Sequence, residues 1–227
     1  MVYPGVRTGD LHGGDNVATY TSGSSMRVIH HKGRANLIAF LSRIAATLPT
    51  PRKLVVSGSS AGGYGATISY DLFHDYFPSS KFYQLDDSGP LMIGDAVPQT
   101  LRDSWYPAWG FDKWIPPLCP DCKQDLSQLI PTLARKYPGE RFALLSYDQD
   151  SVIRAYLQQS GPQFQTNLNA LAANRYDPLP QAHYYFITGT SHTFLGRPGT
   201  VTAQGIELWT WLRQFVEDNA AWTSTKP

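Results

Sequence analysis

The stretch KLVVSG (Lys53 to Gly58) is apolar enough for a buried strand, and it runs straight into Gly58-Ser59-Ser60-Ala61-Gly62 and then a helix-forming segment. A strand that turns directly into a helix forces a tight loop at the carboxyl end of a sheet, and such a connection belongs to parallel α/β architecture. Three further apolar runs repeat the theme: KFYQLD (Lys81 to Asp86), RFALLSY (Arg141 to Tyr147) and HYYFITG (His183 to Gly189). Helical patterning separates them. Leu37, Leu41, Ile44 and Leu48 share one helical face and stop at Pro49 and Pro51. Other helices are expected after Ser60 to about His74, over Leu126 to Leu133, and from near Asp150. A last helix carries Ile206, Trp209, Leu212 and Val216 on one face. The first 25 residues, rich in Gly, Ser, Thr and Asp, are expected to be mostly loop, with a short strand at Met26 to Ile29. The pattern predicts a single α/β domain over 1–227, a three-layer sandwich with a mostly parallel central sheet. A small aromatic-rich cap or lid is expected to insert at about residues 92–124.

The turn at Ser60 has chemical meaning because of where it lies. A G-x-S-x-G turn between strand and helix holds the serine hydroxyl clear of the sheet and sets the Ala61 N–H where an oxyanion would form. Ser59 is expected to be an ordinary surface serine. A serine needs a base, and the base an orienting acid, each just beyond the carboxyl end of a strand. Asp148 follows the strand ending at Tyr147, and His192 follows the strand ending near Gly189. Ser60, Asp148 and His192 are therefore the expected nucleophile, acid and base. The rivals are Asp150, which could cap the next helix, and Asp86 and Asp87, which also end a strand. His183 sits at the wrong end of its strand, while His30, His31 and His74 are expected at the surface or in packing.

Composition narrows the classes. Nineteen Lys and Arg against eighteen Asp and Glu give a net charge of +1, too little for an electrostatic claim on nucleic acid. No apolar run approaches the roughly 18 residues of a membrane span, and MVYPGVRTGD does not resemble a signal peptide. Trp105, Tyr106 and Trp109, with Phe111 and Trp114, would form either the core of the cap or a stacking surface for sugar rings or acyl chains. Cys119 and Cys122 lack the partners of a zinc site, so a local disulfide is expected, which favours an oxidising compartment. No metal or cofactor is expected.

Four blocks together resemble the pectin acetylesterase and Notum family of α/β-hydrolase-like serine carboxylesterases. They are TGDLHGGDN (Thr8 to Asn16), HHKGRANLIAFL around His31, SGSSAGGYGA with LDDSGP, and the pair SYDQD and TSHTF. The resemblance covers roughly residues 8 to 192 and assigns the same three residues, Ser60, Asp148 and His192, while making DDSGP a structural turn beside the site. It implies hydrolysis of O-acetyl or other short-chain esters, with polysaccharide esters as one substrate class and a secreted or periplasmic location, the cytoplasm staying open. The family's earlier strand and L-x-GGG oxyanion loop have no counterpart ahead of Thr8. His12-Gly13-Gly14 resembles the HGG loop of other esterases but falls in a different register. The expectation is thus a short N-terminus with an oxyanion hole that is incomplete or built otherwise. Two alternatives stay open: an esterase for longer acyl chains or polyesters, and a catalytically impaired carbohydrate- or acyl-binding relative.

Overall fold

Apolar strands alternating with amphipathic helices bury a sheet fully only when helices cover both faces. The computed structural model, which describes residues 9–227, has this layered arrangement. Its chain opens with an antiparallel hairpin, β1 (Asn16–Ser22) and β2 (Ser25–His31). Met26 to Ile29 lies within β2 as expected, but Asn16–Ser22 is a strand rather than loop. The rest of the expected N-terminal loop, residues 1–8, lies outside the described residues. The hairpin is mostly exposed on both faces, so no alternation of apolar and polar residues marks it. It is held by docking: the Asp15 amide donates to the Trp109 carbonyl at 2.9 Å and Asn16 Nδ2 to the Pro107 carbonyl at 2.7 Å.

Helix α1 (Gly33–Thr47) buries Leu37 and Leu41, while Leu48, expected on the same face, lies beyond the helix and is 51% exposed. Strand β3 (Lys53–Ser59) leads into α2 (Ala61–Ile68) and α3 (Tyr70–Tyr76), two helices meeting at Ser69 where one was expected. After β4 (Lys81–Asp87) come α4 (Gln99–Trp109) and the short α5 (Ile115–Leu118), followed by the Cys119–Cys122 disulfide. Tyr106, Phe111, Ile115, Cys119 and Cys122 belong to one buried apolar cluster with Phe82, Phe142 and Leu144 of the sheet. Then follow α6 (Leu129–Lys136), β5 (Arg141–Tyr147), α7 (Ser151–Tyr156), α8 (Gly161–Leu171) and β6 (Ala182–Ile187). A small pair, β7 (Thr202–Ala203) and β8 (Ile206–Glu207), precedes α9 (Leu208–Val216).

The central sheet is parallel in the order β3-β4-β5-β6. One face is covered by α1, α2, α6 and α8, the other by α9 and the C-terminal segment through Trp222. α9 buries Leu208, Trp211, Leu212 and Phe215; of the expected face, Leu212 is buried and Ile206 and Val216 pack partly against the same core, while Trp209 does not. Trp209 is 61% exposed, and Ile206 belongs to β8. LWTWLRQFV has apolar residues on two adjacent stripes; the one that docks places the Trp211 ring against Tyr185 and Trp222 and its indole N–H on the Thr223 carbonyl at 2.8 Å. Because the strands are parallel and in register, Ser59 lies opposite Asp87, and Tyr147 opposite Ile187. The residues that follow these strands therefore gather at one sheet edge.

Candidate active site

Ser60 sits between β3 and α2 with φ 58° and ψ −123°, a conformation that side-chain-bearing residues rarely adopt. The turn is fixed by backbone. The Ser60 amide donates to the Asp87 carbonyl at 2.7 Å, and its carbonyl accepts from the amides of Gly63 and Tyr64. A Cβ on Gly58 would lie 2.2 Å from the Gly62 carbonyl oxygen, and one on Gly63 would lie 2.2 Å from Asp86 Oδ1. Gly62, the last residue of the motif, has open space around it. The steric demand thus falls on Gly58 and on Gly63, one residue past the motif. The Ser60 side chain makes no capping bond to α2. Ala61 opens that helix, so its amide is one of the first-turn donors without an intrahelical acceptor.

His192 lies in the loop after β6, with Nδ1 at 2.7 Å from Asp150 Oδ2. Asp150 is fully buried, and its other oxygen accepts from the amides of Val152 and Ile153 at 2.9 and 3.0 Å, capping α7. One carboxylate therefore ends a helix and orients an imidazole. The expected acid, Asp148, is placed elsewhere. Its Oδ1 accepts from the Gly189 amide at 2.9 Å and its Oδ2 from Gln165 Nε2 at 2.7 Å. The cause is the ladder: the Asp148 amide still bonds the Ile187 carbonyl, so Asp148 continues the sheet edge. The chain turns toward the histidine loop only afterwards, with the Ser151 amide on the Thr190 carbonyl.

A carboxylate on Nδ1 selects the tautomer with the proton there and leaves the Nε2 lone pair free to accept one. His192 Nε2 is buried and has no hydrogen-bond partner among the described residues, so the bond to Ser60 is not formed in this resting arrangement. Such bonds are commonly long in the absence of substrate.

The rival carboxylates at the end of β4 do other work. Burial pushes the Asp86 carboxyl well above the usual range, and its Oδ1 accepts from the Gly89 amide at 2.7 Å. Ser59, expected as a plain surface serine, donates to Asp87 Oδ2 at 2.6 Å. Three other histidines are engaged in packing or local bonds, while His30 is exposed on β2. His31 accepts from or donates to the Tyr20 hydroxyl, His74 stacks on Tyr137, and His183 bonds Ser224. In the His12-Gly13-Gly14 segment, the Gly13 amide is already bonded to the Asp10 carbonyl.

Trp105 and Trp109 stack with centroids 5.4 Å apart, and Trp109, Phe111 and Trp114 continue edge to face. Trp114 donates to the Gly13 carbonyl, tying the cluster to the N-terminal loop. Tyr106 is buried against Phe111, its ionisation pushed up by burial. It borders a cavity of about 480 Å³ with Arg102, Asp103 and Lys123, which neither Ser60 nor His192 lines. None of these rings stacks on His192 among the described residues, and Trp109 lies against His31 of the hairpin with ring centroids 6.4 Å apart. No group of three or more His, Cys, Asp or Glu able to hold a metal occurs among the described residues. No described helix is long and apolar enough to cross a membrane.

No protein-family model and no curated protein matches the chain. Among solved structures, the Drosophila Wnt deacylase Notum matches in two crystal forms, with TM-scores of 0.64 and 0.62 at 16% identity. The fold is shared with Notum. The match covers 93% of this chain and 66% and 65% of the Notum chains, so this chain spans a little under two thirds of their length. At that identity the likeness to Notum establishes the α/β-hydrolase-type fold, which four sequence blocks had pointed to independently.

Proposed function

We propose that this protein is a serine carboxylic-ester hydrolase in which Ser60 is the nucleophile, His192 the base and Asp150 the orienting acid. The observation that carries this reading is the His192 imidazole, tied at Nδ1 to a buried carboxylate and free at Nε2, on the same sheet edge as a strained serine turn. His192 Nε2 takes the Ser60 hydroxyl proton as Oγ attacks the ester carbonyl. The Ala61 N–H stabilises the tetrahedral oxyanion, and the imidazolium returns the proton to the departing alcohol. Water, activated by the same nitrogen, then releases the acid from the acyl-enzyme. The substrate class is O-acetyl or other short-chain esters, including those of polysaccharides, and the Cys119–Cys122 disulfide supports a secreted or periplasmic setting.

The test is hydrolysis of p-nitrophenyl esters from acetate to octanoate by the wild type and Ser60→Ala, with fluorophosphonate labelling in parallel. Activity and labelling should both vanish in the variant, with the highest kcat/KM at the short acyl chains. A folded wild type that neither labels nor hydrolyses would instead indicate a binding relative. A rate rising toward octanoate would move the substrate to longer chains.

A further inference from the structure

Three non-glycine residues at the sheet edge hold left-handed φ angles: Ser60 at 58°, Ser88 at 63° and Thr193 at 65°. Each adjoins or bonds the same residue pair. Asp87 is 0% exposed, and among the described residues no cationic side chain lies within ion-pair distance of it. Its carboxylate is surrounded by neutral donors instead. Ser59 Oγ donates to Oδ2 at 2.6 Å and Ser88 Oγ to Oδ1 at 3.2 Å. The Phe194 amide lies 2.9 and 3.1 Å from the two oxygens, and the Leu195 amide 3.0 Å from Oδ2. The Thr193 amide donates to Ser88 Oγ at 3.2 Å, completing a run of consecutive amides that converge on the Asp87-Ser88 pair. The Asp87 carbonyl meanwhile accepts from the Ser60 amide at 2.7 Å.

We propose that Asp87 is a positioning residue that fastens the His192 loop to the Ser60 turn and so fixes the distance from Nε2 to Oγ. This rests on the esterase reading of that pair. The geometry argues for it because Asp87 grips the residue before Ser60 on one side and the residues just after His192 on the other. Strained backbone persists only where its surroundings over-determine it, and Asp87 is what the strained turns have in common. Asp87 is not the triad acid, since the imidazole is bonded to Asp150. It acts through the two loops.

Asp87→Asn keeps the shape but removes the charge and turns an amide donor toward the Phe194 amide, which cannot accept and faces both carboxylate oxygens, so the arm to the His192 loop weakens. For p-nitrophenyl acetate, kcat should fall at least tenfold with KM changed less than twofold, and the fluorophosphonate labelling rate should fall in parallel. Both are read at a temperature where circular dichroism shows the variant folded. Ser59→Ala, which removes only the arm to the serine turn, should lose several-fold in the same two rates, and it serves alone if Asp87→Asn does not fold. A merely structural role would lower Tm and leave the labelling rate of folded protein unchanged. Unchanged rates in folded Ser59→Ala and Asp87→Asn, beside an active wild type, overturn the clamp alone. A wild type inert to both ester and probe overturns the esterase reading and the clamp with it.

Discussion

Asp150→Asn isolates what the carboxylate does for His192, because an amide can keep one of its two jobs. The asparagine oxygen can still accept from the Val152 and Ile153 amides, so the cap of α7 survives. Its nitrogen then faces His192 Nδ1, now 2.7 Å from Asp150 Oδ2, and a donor there forces Nδ1 to accept. The proton moves to Nε2, and the atom that should receive the Ser60 proton already carries one. In a serine protease the corresponding change lowers kcat by about 10⁴. Here the expected loss in kcat/KM is about 10³ to 10⁴, or about 4–5.5 kcal/mol of transition-state stabilisation. Stability should change by less than about 1 kcal/mol, because the cap is retained. Asp148→Asn is the control. Its oxygen can keep the Gly189 amide, and Gln165 can rotate its amide to accept from the new nitrogen, so activity should stay within about tenfold of wild type. The assay is kcat/KM for p-nitrophenyl acetate with urea unfolding of each variant. A larger loss in Asp148→Asn than in Asp150→Asn would refute the assignment of the acid.

Asp86 predicts a pH dependence of stability. Its folded carboxyl is raised by burial, so from about pH 3.8 upward the unfolded chain releases this proton while the folded chain keeps it, and stability falls as pH rises toward the folded value. Asp86→Asn removes that linkage. In urea unfolding its stability relative to wild type should therefore increase from pH 5 to pH 8, and parallel curves would show that Asp86 is ionised when folded. On α9, Trp211→Ala should cost about 3–5 kcal/mol in urea unfolding, whereas Trp209→Ala should fall within about 0.5 kcal/mol of wild type. The reverse order would return the buried face of that helix to the one its apolar spacing first indicated.

The central sheet was legible because its strands declare themselves. Phe82, Phe142, Leu144, Tyr184 and Phe186 fill one face and Tyr83, Leu85, Leu145 and Tyr185 the other, so the strands appear as continuous apolar runs. The hairpin had no such signature. Its residues are held by the carbonyls of Pro107 and Trp109, contacts across some ninety positions of sequence that no local pattern encodes. α9 was found but turned, because two stripes of apolar residues compete and only the sheet chooses between them. α8 carried a local signal that could have located it: Ser160 and Gln163 form a capping box, with Pro162 in the first turn.

In the proposed site, strand ends and chain order point to Ser60 and His192, but the carboxylate bonded to His192 is Asp150 and not the expected Asp148. Asp148 and Asp150 are two residues apart, and a strand reading favours the nearer one. What separates them is that the parallel ladder runs through the Asp148 amide before the chain turns. The capping role that made Asp150 look structural accounts for only one of its two oxygens, which leaves the other for His192. A carboxylate that explains a helix end is therefore not thereby excluded from catalysis; it is a rigid place from which to aim an imidazole. The same reasoning applies to Asp87. The motif supplies the serine and its glycines, but the spacing of Ser60 from His192 depends on amides of residues 194 and 195 closing on a carboxylate more than a hundred positions earlier. That closure requires left-handed turns at Ser88 and Thr193, and neither residue type gives any sign of it. Sequence points to the serine and the histidine of the proposed site, while the distance between them is set by the non-local bonds that hold those turns in place.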